Sequence, residues 1–176
     1  MRFVRKFLLT ILYAFSAFTN AEDIKLYVMD CGSISLGNVT DFGLTESETE
    51  IRKLFVPCYL IDHPKGKLLW DAGLDPRISG KGPVRSGSSW MEYERSLLDQ
   101  LEEIGVSDNE IELIALSHMH FDHTGAANYF PEARLLIQEE EYKAAFLDED
   151  INPVFDFELY KELADNPVTI LNGDHD

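Results

Sequence analysis

His118, His120, Asp122 and His123 fall within six consecutive positions of the stretch SHMHFDHTG, and nowhere else in the chain do two histidines lie within ten residues. Imidazole nitrogens and carboxylate oxygens are suitable ligands for Zn²⁺, and less selectively for Mn²⁺, Fe or Co²⁺. In extended chain, side chains two apart point to the same side, so His118 and His120 can converge on one ion. Asp122 and His123, where the chain turns toward Gly125, can face a second ion beside it. The competing assignment is a set of histidines that cap a turn by bonding to backbone. It suits the lone His63 in its Pro–Gly turn but leaves the H-x-H-x-D-H spacing without a reason. Ser117 adjoins His118, yet neighbouring residues on a strand point apart, which argues against a serine nucleophile there.

These donors need a rigid support. IELIALS, directly before them, is a short apolar run of the kind found in strands buried within a sheet. A loop at the carboxyl end of such a strand is where α/β sheets tend to place their sites. Upstream, DIKLYVMDCG reads as a strand with Leu26 and Val28 on one face, ended by Gly32. A hairpin follows, with strands over 55–62 and 67–71 about the turn His63-Pro64-Lys65-Gly66. Residues 75–89, rich in Gly, Ser and Pro, are expected to form an exposed loop. Ser89 and Glu92 read as a capping box for a helix carrying Met91, Leu97, Leu98, Leu101 and Ile104, stopped by Gly105. After the histidines come a helical start at 125–129, a strand at 134–138 and a helix at 139–147. Alternating strands and helices without repeats or linkers predict one domain of α/β layered architecture.

Composition sets outer bounds. The chain has 176 residues and is 45% hydrophobic, enough for one packed core. A formal charge of -17 argues against binding nucleic acid or an anionic membrane surface. Residues 1–21 have the layout of a secretory signal peptide: Arg2, Arg5 and Lys6, an apolar stretch, then Thr19-Asn20-Ala21. That stretch, about a dozen residues, is short of the roughly 20 that a membrane span needs; an uncleaved anchor is the alternative. The expected location is therefore secreted or periplasmic. Cys31 and Cys58 would form one bridge there or remain two buried thiols, structural in either case.

SHMHFDHTG resembles the signature of the metallo-β-lactamase superfamily. LYVMDCG, PCYLIDHPKGKLLWDAGL and FPEARLLIQEEEY are similar, in the right order, to segments of its N-acyl homoserine lactonase branch, the quorum-quenching lactonases. The resemblance implies an αβ/βα sandwich, with residues 22–176 as its N-terminal part, the first half only. It implies His118 and His120 on one metal, Asp122 and His123 on the other, and two Zn or other divalent ions per complete domain. Asp71, in LLWDAGL, would hold a ligand in orientation from beneath the site, or else shape the strand-end turn. Phe121 would line the substrate pocket, or else pack on the sheet edge. The implied reaction opens the ring of an N-acyl homoserine lactone through a dinuclear zinc-bound hydroxide formed near neutral pH. Asp122 would pass a proton to the leaving alkoxide. The implied partner is this small lactone, with no nucleic acid and no membrane apart from export; a homodimer is left open.

The family site also expects a third histidine on the first metal, a bridging aspartate and a last histidine, all downstream of the motif. His175 is the only later histidine, in a stretch resembling the segment before that third ligand, and takes no ligand role. The chain is thus expected to be an N-terminal fragment, inactive alone, with an uncovered apolar sheet face. The alternatives are a β-lactam or thioester hydrolase of the same superfamily, or a non-catalytic metal-binding module.

Overall fold

A computed structural model describes residues 23–148 and 152–174. The expected signal peptide over 1–21 and His175 lie outside the described residues. Among the described residues no helix is long and apolar enough to cross a membrane.

The strands are β1 (Lys25–Ser35), β2 (Lys53–His63), β3 (Gly66–Trp70), β4 (Val84–Ser86), β5 (Ser89–Glu92), β6 (Ile111–Ala115), β7 (Arg134–Gln138) and β8 (Val168–Leu171). They form one mixed sheet in the order β4-β5-β1-β2-β3-β6-β7-β8. The pairs from β4 to β3 are antiparallel, and tight turns join β4 to β5 and β2 to β3. The pairs β3-β6, β6-β7 and β7-β8 are parallel, and parallel neighbours need crossover connections. The helices α1 (Leu97–Glu103), α2 (Phe121–Thr124) and α3 (Glu139–Phe146) lie in those crossovers.

Register separates the two faces. Leu60, Leu69, Ile114 and Leu135 align across four strands and are fully buried. They join one cluster with Leu97 and Leu101 of α1, Ala145 of α3, Phe130 and Tyr160. Each such leucine contributes about 2 kcal/mol by leaving water. The opposite face carries Leu26, Val28 and Trp70, which are 62%, 60% and 44% exposed. Leu26 and Val28 share a face as expected, and it is the open one.

The hairpin forms as expected, and the His63 Nδ1 accepts the Lys65 N–H at 2.9 Å within its turn. β1 does not end at Gly32. It continues to Ser35 through an irregularity between Asp30 and Ser33, where Gly32 takes a φ of 117°. The expected cap at Ser89 is incorrect. Ser89–Glu92 is strand β5, because Trp90, Met91 and Glu92 pair with the β1 edge. The helix starts seven residues later in register with a second Ser-x-x-acid pattern. The Ser96 Oγ accepts the Asp99 N–H at 3.1 Å, and the Asp99 carboxylate accepts the Ser96 N–H at 3.2 Å. The expected loop over 75–89 contains a 3-10 turn at Pro76–Ile78 and strand β4, which pairs with β5. The start expected at 125–129 is a single 3-10 turn, Ala127–Tyr129.

Cys31 and Cys58 are bridged, with Cα atoms 5.8 Å apart and both side chains fully buried. The bridge ties β1 to β2 across a sequence separation of 27, a closure that stabilises by about 3 kcal/mol through the unfolded chain. Urea unfolding followed by circular dichroism is expected to show that loss on reduction, or in Cys31→Ala/Cys58→Ala. Coincident curves would show that the bridge does not constrain the unfolded chain.

Candidate metal centre

The site grows from the parallel pair β3-β6. Trp70 lies opposite Ala115, and the Asp71 N–H continues the ladder by donating to the Ala115 carbonyl at 2.9 Å. Asp71 then turns with a φ of 60°, a left-handed conformation costing about 1–2 kcal/mol for most residues and less for aspartate. Its carboxylate, 5% exposed, offsets that cost. One oxygen accepts the Ser117 N–H at 2.8 Å. The other accepts the Ser117 hydroxyl at 2.9 Å and faces His123 Nδ1 at 2.9 Å. Hydrogen bonds to a charged acceptor contribute about 1.5–3 kcal/mol each.

The backbone after Asp71 grips the same turn. The Ala72 N–H donates to the His123 carbonyl at 2.7 Å, the Gly125 N–H to the Gly73 carbonyl at 2.7 Å, and the Ala126 N–H to the Ala72 carbonyl at 3.0 Å. A Cβ on Gly125 would lie 2.1 Å from the Leu74 carbonyl carbon, so the glycine ending the motif is required by close approach of two backbones. α2 opens with His120 at its N-cap, and the His123 N–H donates to the His120 carbonyl at 2.9 Å.

These constraints bring the sequence-assigned donors together. The His118 ring centroid is 4.4 Å from that of His120 and 3.9 Å from that of His123. Asp122 Oδ2 lies 3.5 Å from His123 Nε2. His118 thus stands between the other two imidazoles. Phe121 packs against the core and lines a cavity of about 450 Å³ with His120, Asp122, Ile34, Leu54 and Val154. His63 sits in the β2–β3 turn and takes no part.

Two contributors were not read from sequence as part of the site. The Ser117 hydroxyl, discounted as a nucleophile, braces Asp71 and lies 3.1 Å from His118 Nδ1 and 3.2 Å from His123 Nδ1. The Glu141 carboxylate accepts the Met119 N–H at 3.0 Å. No local signal distinguishes Glu141 from Glu139 and Glu140 beside it.

Electrostatics differ among the rings. Burial holds the His118 pKa below its ordinary value, reinforced by His123 and His120. Burial also disfavours a charged His123, but the hydrogen bond to Asp71 and the charges of Asp122 and Asp71 outweigh it and raise that pKa. With Nδ1–H directed at Asp71, His123 presents Nε2 outward, the arrangement typical of a metal-bound imidazole. Three imidazoles and a carboxylate are a donor set that zinc accepts. Among the described residues no three His, Cys, Asp or Glu donors converge tightly enough to hold one ion. The donor chemistry fits a metal, while the count falls short of a tight site.

Residues 51–169 match the metallo-beta-lactamase superfamily. The N-acyl homoserine lactonase AttM of Azorhizobium caulinodans is 31% identical over 130 residues, which covers 70% of this chain and 49% of that protein. The N-acyl homoserine lactonase AiiB of Agrobacterium fabrum is 30% identical over 139 residues, covering 69% and 49%. A solved quorum-quenching N-acyl homoserine lactone hydrolase superposes with a TM-score of 0.68 at 25% identity, over 86% of this chain and 58% of its own. Another, with the product N-hexanoyl-L-homoserine at its catalytic metal centre, gives 0.65 at 25% identity over 86% and 60%. The chain spans about half the length of the curated relatives it matches.

In metal-free protein, imidazole NMR is expected to show His123 titrating above, and His118 below, the ordinary value of about 6.5. Asp71→Asn brings the His123 midpoint down. The stability His123 gains from its raised pKa is complete below about 6.5 and is lost as pH rises through the raised midpoint. Identical midpoints for the two rings would refute the asymmetry.

Proposed function

We propose that this chain, which belongs to the metallo-beta-lactamase superfamily, contributes the metal-binding turn of a hydrolase that opens N-acyl homoserine lactones. The observation that carries this reading is the clustering of three imidazoles with Asp122, of which His120 and Asp122 line a cavity that also holds Ile34, Leu54, Phe121 and Val154. Its support in substrate class is the lactonase activity named for AttM and AiiB and the product bound in a similar structure.

His118, His120, Asp122 and His123 would hold two divalent ions, zinc first among them. When bound, the ions polarise the lactone carbonyl and make water available as a nucleophile near neutral pH. The chain's own residues do the rest. Asp71 fixes His123, and Phe121 with Ile34, Leu54 and Val154 receives the acyl chain away from water. Water oxygen would add to the carbonyl carbon as the Asp122 carboxylate takes up its proton, the ring C–O bond would break, and Asp122 would return that proton to the departing alkoxide oxygen. The product is the N-acyl homoserine. Residues 23–174 alone are expected to bind zinc weakly and to turn over no lactone, because fewer than three described donors converge on one point. We also propose export, which the buried Cys31–Cys58 bridge supports, since disulfides persist in oxidising compartments.

Protein purified from its native source is expected to open N-hexanoyl homoserine lactone, to stop in EDTA, and to recover with zinc. Asp122→Asn should lower kcat/KM by about a hundredfold or more while the fold survives. Cleavage of a β-lactam or thioester with the lactone left intact would overturn the lactonase reading.

A further inference from the structure

The turn that carries the histidines lies beyond the strand ladders, so its buried backbone N–H groups need partners outside them. The N–H of Ser117 donates to the Asp71 carboxylate at 2.8 Å. That of Phe121 donates to the Val154 carbonyl at 3.1 Å, and that of His123 to the His120 carbonyl at 2.9 Å. Between them, the N–H of Met119 donates to Glu141 Oε2 at 3.0 Å. Met119 is the single residue separating His118 from His120, and its side chain is fully buried. The bond spans 22 residues and joins the turn to α3.

We propose that Glu141 is a positioning residue for the metal centre, the counterpart on α3 of Asp71 after β3. By holding the Met119 N–H, its carboxylate fixes the His118–Met119 peptide unit and, through the Met119 backbone that leads from it to His120, the relative directions of the His118 and His120 side chains. Glu141 is not a ligand in this role. It acts through the backbone, and loss of such support typically weakens metal affinity about 10–100-fold. The inference rests on the metal-binding reading above.

The test uses the native protein with Co²⁺ as the probe, read by its visible absorption, and the Met119 amide read by NMR without metal. Glu141→Ala is expected to weaken Co²⁺ binding about tenfold, to move the Met119 amide proton upfield and to speed its exchange. Glu141→Gln, whose amide oxygen still accepts, is expected to stay within twofold of wild type. Glu141→Asp keeps the charge but shortens the reach, should bind as weakly as Glu141→Ala, and carries the test where Glu141→Ala does not fold. Wild-type affinity in Glu141→Asp and Glu141→Ala would overturn the proposal. Equal losses in Glu141→Gln and Glu141→Ala would also overturn it, by assigning the effect to charge. No Co²⁺ binding by the wild type would instead overturn the metal-binding reading beneath it, a result distinct from the other two.

Discussion

The buried carboxylate of Asp71 is the constraint on which the site depends. It sits where β3 ends beside β6, so its position is set by a parallel strand pair within the sheet. Both oxygens are engaged, by Ser117 and His123, which lie six residues apart on the following loop. A buried carboxylate left unpaired would be costly, so the loop is held to the strand end by the need to satisfy that charge. Losing either partner would leave part of the charge exposed to a poor dielectric. The site geometry therefore inherits the rigidity of the sheet, as it would not from a surface loop alone.

The sheet itself is asymmetric. One face is packed by α1, α3 and the segments around Phe130 and Tyr160. The other keeps Leu26 and Val28 of β1 and Trp70 of β3 open to either side of β2. Apolar side chains aligned on a sheet face gain about 25 cal/mol for each Å² removed from water, so such a face favours being covered. An αβ/βα sandwich of the metallo-beta-lactamase superfamily is built from two such layers, and the sheet described here with its helices is one of them. The chain's strong negative charge opposes indiscriminate association of these faces.

Much of this was legible in the sequence, for identifiable reasons. The strand over 134–138 and the hairpin around Pro64 and Gly66 announce themselves through apolar runs and turn chemistry. The His/Asp spacing pointed to one locus, and Asp71, distant in sequence, was placed there by resemblance to a strand-end aspartate. Other features, among them the bracing of Asp71 by the Ser117 hydroxyl, were not legible. Ser89 and Ser96 each begin a Ser-x-x-acid pattern, and only the demand of the β1 edge for a partner decides that the first is strand. The bridge between Cys31 and Cys58 depends on the register of β1 against β2, which cysteine count cannot supply. Glu141 acts on a backbone N–H, and such a contact leaves no pattern in the residue types it joins.

The electrostatic asymmetry of the rings follows from the same architecture and suits metal binding. His118, crowded by two imidazoles and half-buried, is pushed toward the neutral form that offers a lone pair. His123 differs because Asp71 accepts from its Nδ1, which makes Nε2 the more basic nitrogen. A proton and a divalent cation compete for that Nε2 lone pair, and the field that favours one favours the other. Asp71 thus favours the proton on His123, and the same carboxylates of Asp71 and Asp122 would favour a cation in its place.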